Sequence, residues 1–310
     1  MTVPEAELRA DPLVAELLAR CTFPAAAGPL VCGVSGGADS LALLVLASAA
    51  GCRVTAVHVD HGLRTGSADE AGVVAAAASR FGAGFRSERV AVADGPNLEA
   101  RARTARHEAL GAGAATGHTA DDQAETVLAN LLRGAGVNGL AAMRAGTTHP
   151  LLELRRRETV ALCTRFGLDP VHDPSNDDGR FLRNRIRSEL LPLCSAIADR
   201  DVVPVLARQA RLLAGDADLL DSVAALLDPT DAAALAAAHP AQARRAIRGW
   251  LVGNDSYPPS AAAVDRVLEV ARLERRATEV PGGVRVVRSR GRLWREPVGP
   301  AGPADAPVQS

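Results

Sequence analysis

Between residues 30 and 132 the apolar positions fall into short runs separated by amphipathic stretches. Leu30-Val31-Cys32-Gly33-Val34 is unbroken and apolar, which suits a buried strand. After two glycines, Leu41-Ala42-Leu43-Leu44-Val45-Leu46 continues as the middle of a helix over 39–49. Residues 53–59 and 85–92 read as further strands, and Ala114-Ala115-Thr116-Gly117 as a weak fourth. Helices are predicted over 68–81, 97–110 and 120–132. Such alternation with short links predicts an α/β, Rossmann-like parallel sheet with helices on both faces. Ligands bind at the carboxyl ends of such strands, where Ser35, His58 and Gly117-His118 fall.

The rest of the chain patterns differently. Residues 1–21 read as a short helix, and 150–193 as a charged segment containing proline and asparagine. An Ala/Leu/Arg-rich helical stretch covers 200–275, beginning with a long connector, and 283–294 alternates like a hairpin. The expected division is a domain over 1–200, a connector over 201–226, a small mainly helical domain with a terminal β-hairpin over 227–296, and a disordered tail over 297–310.

Composition removes several chemistries. All 35 basic residues are arginine; the chain has no lysine. That excludes a Schiff-base lysine, a Walker A lysine and a kinase-type lysine, so phosphate charge must be met by arginine, backbone N–H groups or a metal ion. A formal charge of −1 gives no global nucleic-acid signature, yet residues 241–297 hold twelve arginines against six acidic residues. Five cysteines without a C-x-x-C pair read as buried thiols of a reducing compartment. With neither a leader-like N-terminus nor a charge-free apolar run of 18 residues, the expectation is a soluble, cytoplasmic protein with no membrane partner.

Ser35-Gly36-Gly37-Ala38-Asp39-Ser40 joins the first strand to its helix. Its glycines permit a tight turn and close ligand approach, the helix N-terminus favours an anion, and Asp39 can hold a metal. In Thr116-Gly117-His118-Thr119-Ala120-Asp121-Asp122-Gln123-Ala124-Glu125, Thr119 and Asp122 resemble a capping box, which accounts for the acidic first turn. Glu125, three residues after Asp122, and His118 before the cap are less well explained that way. Asp122 and Glu125 on one face, turned to a phosphate loop, would form a magnesium and substrate site. His58-Val59-Asp60-His61-Gly62-Leu63-Arg64 offers two histidines at metal spacing, but a nucleotide-contacting loop with Gly62 for a turn and Arg64 for phosphate or tRNA is the preferred reading. Arg183, Asn184 and Arg187 share one side of a helix; they read either as a solvated face or as forks for phosphate oxygens.

Taken together, the loop at 35–40 resembles that of the PP-loop ATP pyrophosphatases. HVDHGLR at 58–64, TGHTADDQAETVLANLLRGAGVNGLAAM at 116–143 and DPSNDDGRFLRNRIRSELLP at 173–192 resemble the tRNA(Ile)-lysidine synthetase family. Beyond residue 200 the likeness is architectural only. The resemblance implies that ATP adenylates the 2-oxo group of the wobble cytidine in an isoleucine tRNA with a CAU anticodon. The ε-amine of free L-lysine then displaces AMP from that carbon, giving lysidine. It implies further that Ser35, Gly36, Gly37, Ala38, Asp39 and Ser40 hold ATP, with His58 and Arg64 beside the nucleotide. Asp39 and Asp122 would take Mg2+ and Glu125 the lysine amine. Arg106 would lie near the phosphates and cytosine, and His118 at the cytosine or the leaving AMP. The family usually has an aromatic residue where His107 stands. Arg183, Asn184, Arg187, Arg285, Arg288 and Arg290 are the expected tRNA contacts, and a homodimer is an expected assembly.

Three other readings compete. A cytidine 2-thiolase of the same superfamily needs C-x-x-C cysteines, which are absent. Small-molecule amidotransferase-type pyrophosphatases would not combine HVDHGLR with the RNRIR segment. A nucleotide sensor without turnover has no use for Asp122 with Glu125.

Overall fold

The computed structural model describes residues 2–60, 67–90, 98–171, 178–252 and 259–297. Arg64, the DPSND run at 173–177 and the expected disordered tail beyond Pro297 lie outside the described residues. The chain divides into two compact units, Met1–Ala214 and Gly215–Ser310.

In the first unit, short helices α1 (Glu5–Ala10) and α2 (Pro12–Leu18) precede β1 (Pro29–Gly33), α3 (Ala38–Ala49), β2 (Arg53–Asp60), α4 (Ser67–Arg80), β3 (Gly84–Arg89), α5 (Leu98–Leu110), β4 (Ala115–Thr116) and α6 (Ala120–Leu132). The four strands pair in parallel in the order β3-β2-β1-β4. The helix α3 packs against α4, and α5 runs back over β2 and β1 to reach β4. The strand order reverses at β1, so the crevice for a ligand opens where the β1–α3 and β4–α6 loops diverge.

The helix α3 is apolar on every side because it is covered on every side. Leu41 through Ala47 have no exposed surface, and α1, α2 and α8 (Arg156–Arg165) pack on it opposite the sheet. The α8 helix lies in the stretch read from sequence as a charged segment. Only Thr159, Leu162 and Cys163 are buried along it, and the Arg155-Arg156-Arg157 run masks that narrow stripe.

After α7 (Val137–Leu140) and α8, the RNRIR segment forms α9 (Leu182–Arg185), a π-helical turn (Ile186–Leu190) and α10 (Leu191–Ala198). Pro192 has no N–H to give, and the Leu191 N–H bonds the Ile186 carbonyl five residues back. Ile186 and Leu191 pack with Ala120, Ala124 and Leu128 of α6, which sets this arginine-rich segment against the acidic helix.

The long helix α11 (Val203–Ala225) runs into the second unit, which continues with α12 (Ala232–Ala237), α13 (Pro240–Leu251) and α14 (Ala261–Ala271). The expected hairpin is a three-stranded antiparallel sheet, β5 (Ala277–Val280), β6 (Val284–Ser289) and β7 (Arg292–Pro297), in that order. Its core joins Leu235, Ile247, Val264, Val267, Val286 and Leu293.

Candidate active site at the sheet switch point

The loop after β1 is held by its own hydroxyls. Ser40 Oγ donates to the Gly37 carbonyl at 2.8 Å, accepts the Ser35 N–H at 3.2 Å, and lies 3.3 Å from Ser35 Oγ. Gly36 has φ +90°, and a Cβ there would come within 3.1 Å of Val171 Cγ2. Gly37 precedes α3 without a capping side chain, so backbone N–H groups line the loop mouth. A methyl on Gly117 would lie 2.6 Å from the Asp39 carbonyl oxygen; only glycine lets the β4–α6 loop touch the first turn of α3.

That contact brings the acidic residues together. Asp122 serves both readings at once. Its Oδ2 takes the Thr119 N–H at 2.9 Å and hydroxyl at 3.0 Å, completing the cap, while Oδ1 faces inward. Asp121 turns away to Arg155 Nε at 3.0 Å and the Arg156 N–H at 2.8 Å. Glu125 is buried to 1% exposure.

Sequence reasoning missed the residue at the centre, Arg156 on α8. Its Nε donates to Asp39 Oδ2 at 3.1 Å, Nη2 to Asp122 Oδ1 at 2.8 Å and Nη1 to Glu125 Oε1 at 3.2 Å. The buried Thr159 hydroxyl, one turn on, donates to the other Asp39 oxygen. Arg187 approaches from the π turn, with Nε 2.7 Å from Glu125 Oε1 and Nη2 3.1 Å from Oε2. Arg183 reaches the Thr126 hydroxyl at 2.7 Å and Asn184 the Asp178 carbonyl at 2.9 Å. Arg183 and Arg187 are thus tied to α6, and Asn184 to its own segment.

Burial raises the Asp39 carboxyl above its ordinary value, with the Asp122 charge adding to the effect and Arg156 and Thr159 opposing it. Asp122 is buried too, but Arg156, His118 and the Thr119 donors outweigh that penalty and lower it. Although burial alone would lower Arg156, the three carboxylates raise it.

The remaining candidates lie elsewhere on the first unit's sheet, loops and helices or in the second unit. His118 Nδ1 is 2.8 Å from Thr116 Oγ1, and its ring stacks on His149 at 5.2 Å between centroids. His58 is buried, with Nδ1 3.1 Å from the Val34 carbonyl, and its Nε2 has no hydrogen-bond partner among the described residues. Arg106 is half-buried on α5 and His107 exposed. In the second unit, Arg285 and Arg290 are exposed, whereas Arg288 is half-buried and donates to the Ala271 carbonyl.

The donor set fits a nucleotide with a divalent ion. Among the described residues no group of three or more His, Cys, Asp or Glu forms a metal cage. Magnesium commonly takes one or two carboxylates and completes its shell with phosphates and water. Asp39 and Asp122 supply two such carboxylates beside a glycine cradle, and the orphaned His58 Nε2 awaits a polar partner.

Residues 11–194 match the PP-loop domain family, and 231–294 match the TilS substrate binding domain family. A tRNA(Ile)-lysidine synthase of Nocardia farcinica is 41% identical over 296 residues, covering 87% of this chain and 92% of the relative. The enzyme of that name from Salinispora tropica is 42% identical over 300 residues, covering 86% and 90%. Among solved structures, a U34-tRNA thiolase from Methanococcus maripaludis has TM-score 0.50 and 18% identity over 65% of this chain and 77% of its own. At that identity the likeness is one of fold.

Proposed function

The chain belongs to the tRNA(Ile)-lysidine synthase family, and from that premise we propose how its residues divide the work. The reaction joins free lysine to carbon 2 of the wobble cytidine of the CAU-anticodon isoleucine tRNA through an adenylated intermediate, with ATP giving AMP and pyrophosphate. What supports the residue-level reading is one observation: Asp39 from the first turn of α3 and Asp122 and Glu125 from α6 meet on Arg156 beside the glycine cradle.

Ser35 to Ser40 hold the phosphates through backbone N–H groups and hydroxyls, and His58 meets the nucleotide. Asp39 and Asp122 hold magnesium, which when bound neutralises phosphate charge and polarises the bond to be broken. Arg156 keeps both carboxylates ionised and aimed at the cradle, and Arg106 and His118 flank the cytosine and the leaving group. A flipped-out anticodon base gives these groups access to the ring. The lysine must attack as a neutral amine, so one proton leaves its ammonium. Glu125 binds that ammonium and is the carboxylate placed to take the proton, and Arg187 fixes its orientation by a two-pronged contact. Arg183, Asn184 and Arg187 meet the tRNA near the site, and Arg285 and Arg290 extend the contact in the small domain, with Arg288 holding the end of α14 behind them. A tRNA substrate supports a cytoplasmic location. Exposed Leu193 and Ile197, one turn apart on α10, support a homodimer.

Pyrophosphate release tests the reading. It should require the isoleucine tRNA, and AMP release should require free lysine as well. Turnover without tRNA would favour a small-molecule pyrophosphatase, and turnover needing a sulfur donor would favour a thiolase.

A further inference from the structure

The chain has only two tryptophans, and both line a single concave patch of the second unit, with Thr230, Arg292, Leu293 and Arg295. Trp250 is on the last turn of α13 and Trp294 in the middle of the edge strand β7. The floor is rigid. Leu293 is buried in the domain core, and the Arg295 guanidinium lies 5.1 Å over the Trp250 ring while donating to the Trp250 carbonyl at 2.9 Å. Arg292 is held at the rim by Asp228 at 2.6 Å and by the Thr230 hydroxyl at 3.2 Å.

Trp294 is different. It is 58% exposed, and among the described residues no ring or guanidinium stacks on it. In a chain with 3% aromatic residues, a large indole left in water between two arginines is an unused stacking surface. The surrounding segment is arginine-rich, so the ligand that fits is an anion carrying a flat ring.

We propose that this patch is a stacking site for one unpaired nucleotide of the bound tRNA, its base on Trp294 and its phosphate toward Arg292. The inference rests on the family reading above and adds a contact to it. Stacking on an aromatic side chain is tolerant of base identity, so the site grips a single-stranded element and leaves sequence discrimination to other contacts.

Tryptophan fluorescence reports on this patch alone, because there is no other tryptophan. A single-stranded oligoadenylate and the isoleucine tRNA should each quench it, and a blunt RNA duplex of equal length should not. Trp294→Ala should weaken tRNA binding about tenfold and Trp294→Phe much less, the scale expected for one stacked base. Parental affinity in a folded Trp294→Ala protein, or quenching by the duplex as strong as by the single strand, would overturn the site. Emission insensitive to every RNA would overturn it too, and would leave the patch to a protein partner. Lysidine formation by the parent separates the two readings: if it proceeds while Trp294→Ala binds normally, only the stacking site fails.

Discussion

Arg156 Nε donates to Asp39 Oδ2 at 3.1 Å, a bond that ties α8 to the first turn of α3 across 117 residues of sequence. The same guanidinium satisfies Asp122 and Glu125. Removing one partner of a buried charge cluster leaves the others uncompensated, which costs about 3–5 kcal/mol. Arg156→Ala should therefore lower thermal stability markedly and abolish pyrophosphate release. Arg156→Lys should recover part of the stability, since a point charge cannot reproduce the three-way fork. A stable, active Arg156→Ala protein would remove the residue from the account.

Asp39 and Asp122 should respond to pH with opposite signs. The raised carboxyl of Asp39 means that its ionised form opposes folding above its folded pKa, a penalty that fades as pH falls through that value and is gone below the ordinary 3.8. Metal-free Asp39→Asn should then be at least as stable as the parent at pH 7, yet inactive. Asp122 is lowered, so its contribution is present above 3.8 and is lost as pH falls through its folded value. Asp122→Asn should be less stable than the parent at pH 7, with the gap closing in acid. Melting curves between pH 3 and 7 compare the three proteins.

Glu125 tests the order of the half-reactions. Glu125→Gln keeps the shape but loses the charge that receives the lysine ammonium. Adenylated tRNA should accumulate, with lysine transfer reduced far more than pyrophosphate release. Equal loss of both steps would make Glu125 part of the adenylation site instead.

The arginines of the small domain should divide by exposure. Neutralising Arg285 and Arg290 together should weaken tRNA binding and flatten its salt dependence by about one unit of log–log slope per lost phosphate contact. Arg288→Ala should instead lower stability, because its guanidinium caps the carboxyl end of α14 at Ala271. Binding at several salt concentrations, with melting curves alongside, distinguishes these outcomes.

Much of this architecture is legible in the chain. The apolar run before two glycines announces β1 and its loop, and the four residues from Asp122 to Glu125 announce one face of α6. Arg156 is not legible, because Arg155, Arg156 and Arg157 are the same residue in a row. Helical rotation alone separates them, sending Arg155 to Asp121, Arg156 into the carboxylates and Arg157 to solvent. The signal present was the spacing of Arg156, Thr159 and Cys163, which share the inner face of α8. The strand β5 escaped notice because Ala277-Thr278-Glu279-Val280 is short and follows a charged stretch. Only its antiparallel pairing with β6, across the turn at Gly282 and Gly283, makes it a strand.

The central claim is that one site activates the wobble cytidine and then joins lysine to it. Incubation of the protein with ATP, labelled lysine and an isoleucine tRNA transcript bearing CAU, followed by nucleoside analysis, tests it most directly. The account predicts label in a modified cytidine at the wobble position, none when ATP is omitted, and none in a transcript with another base there. Label that stays wholly in free lysine, with the transcript unmodified and the protein folded, would contradict it.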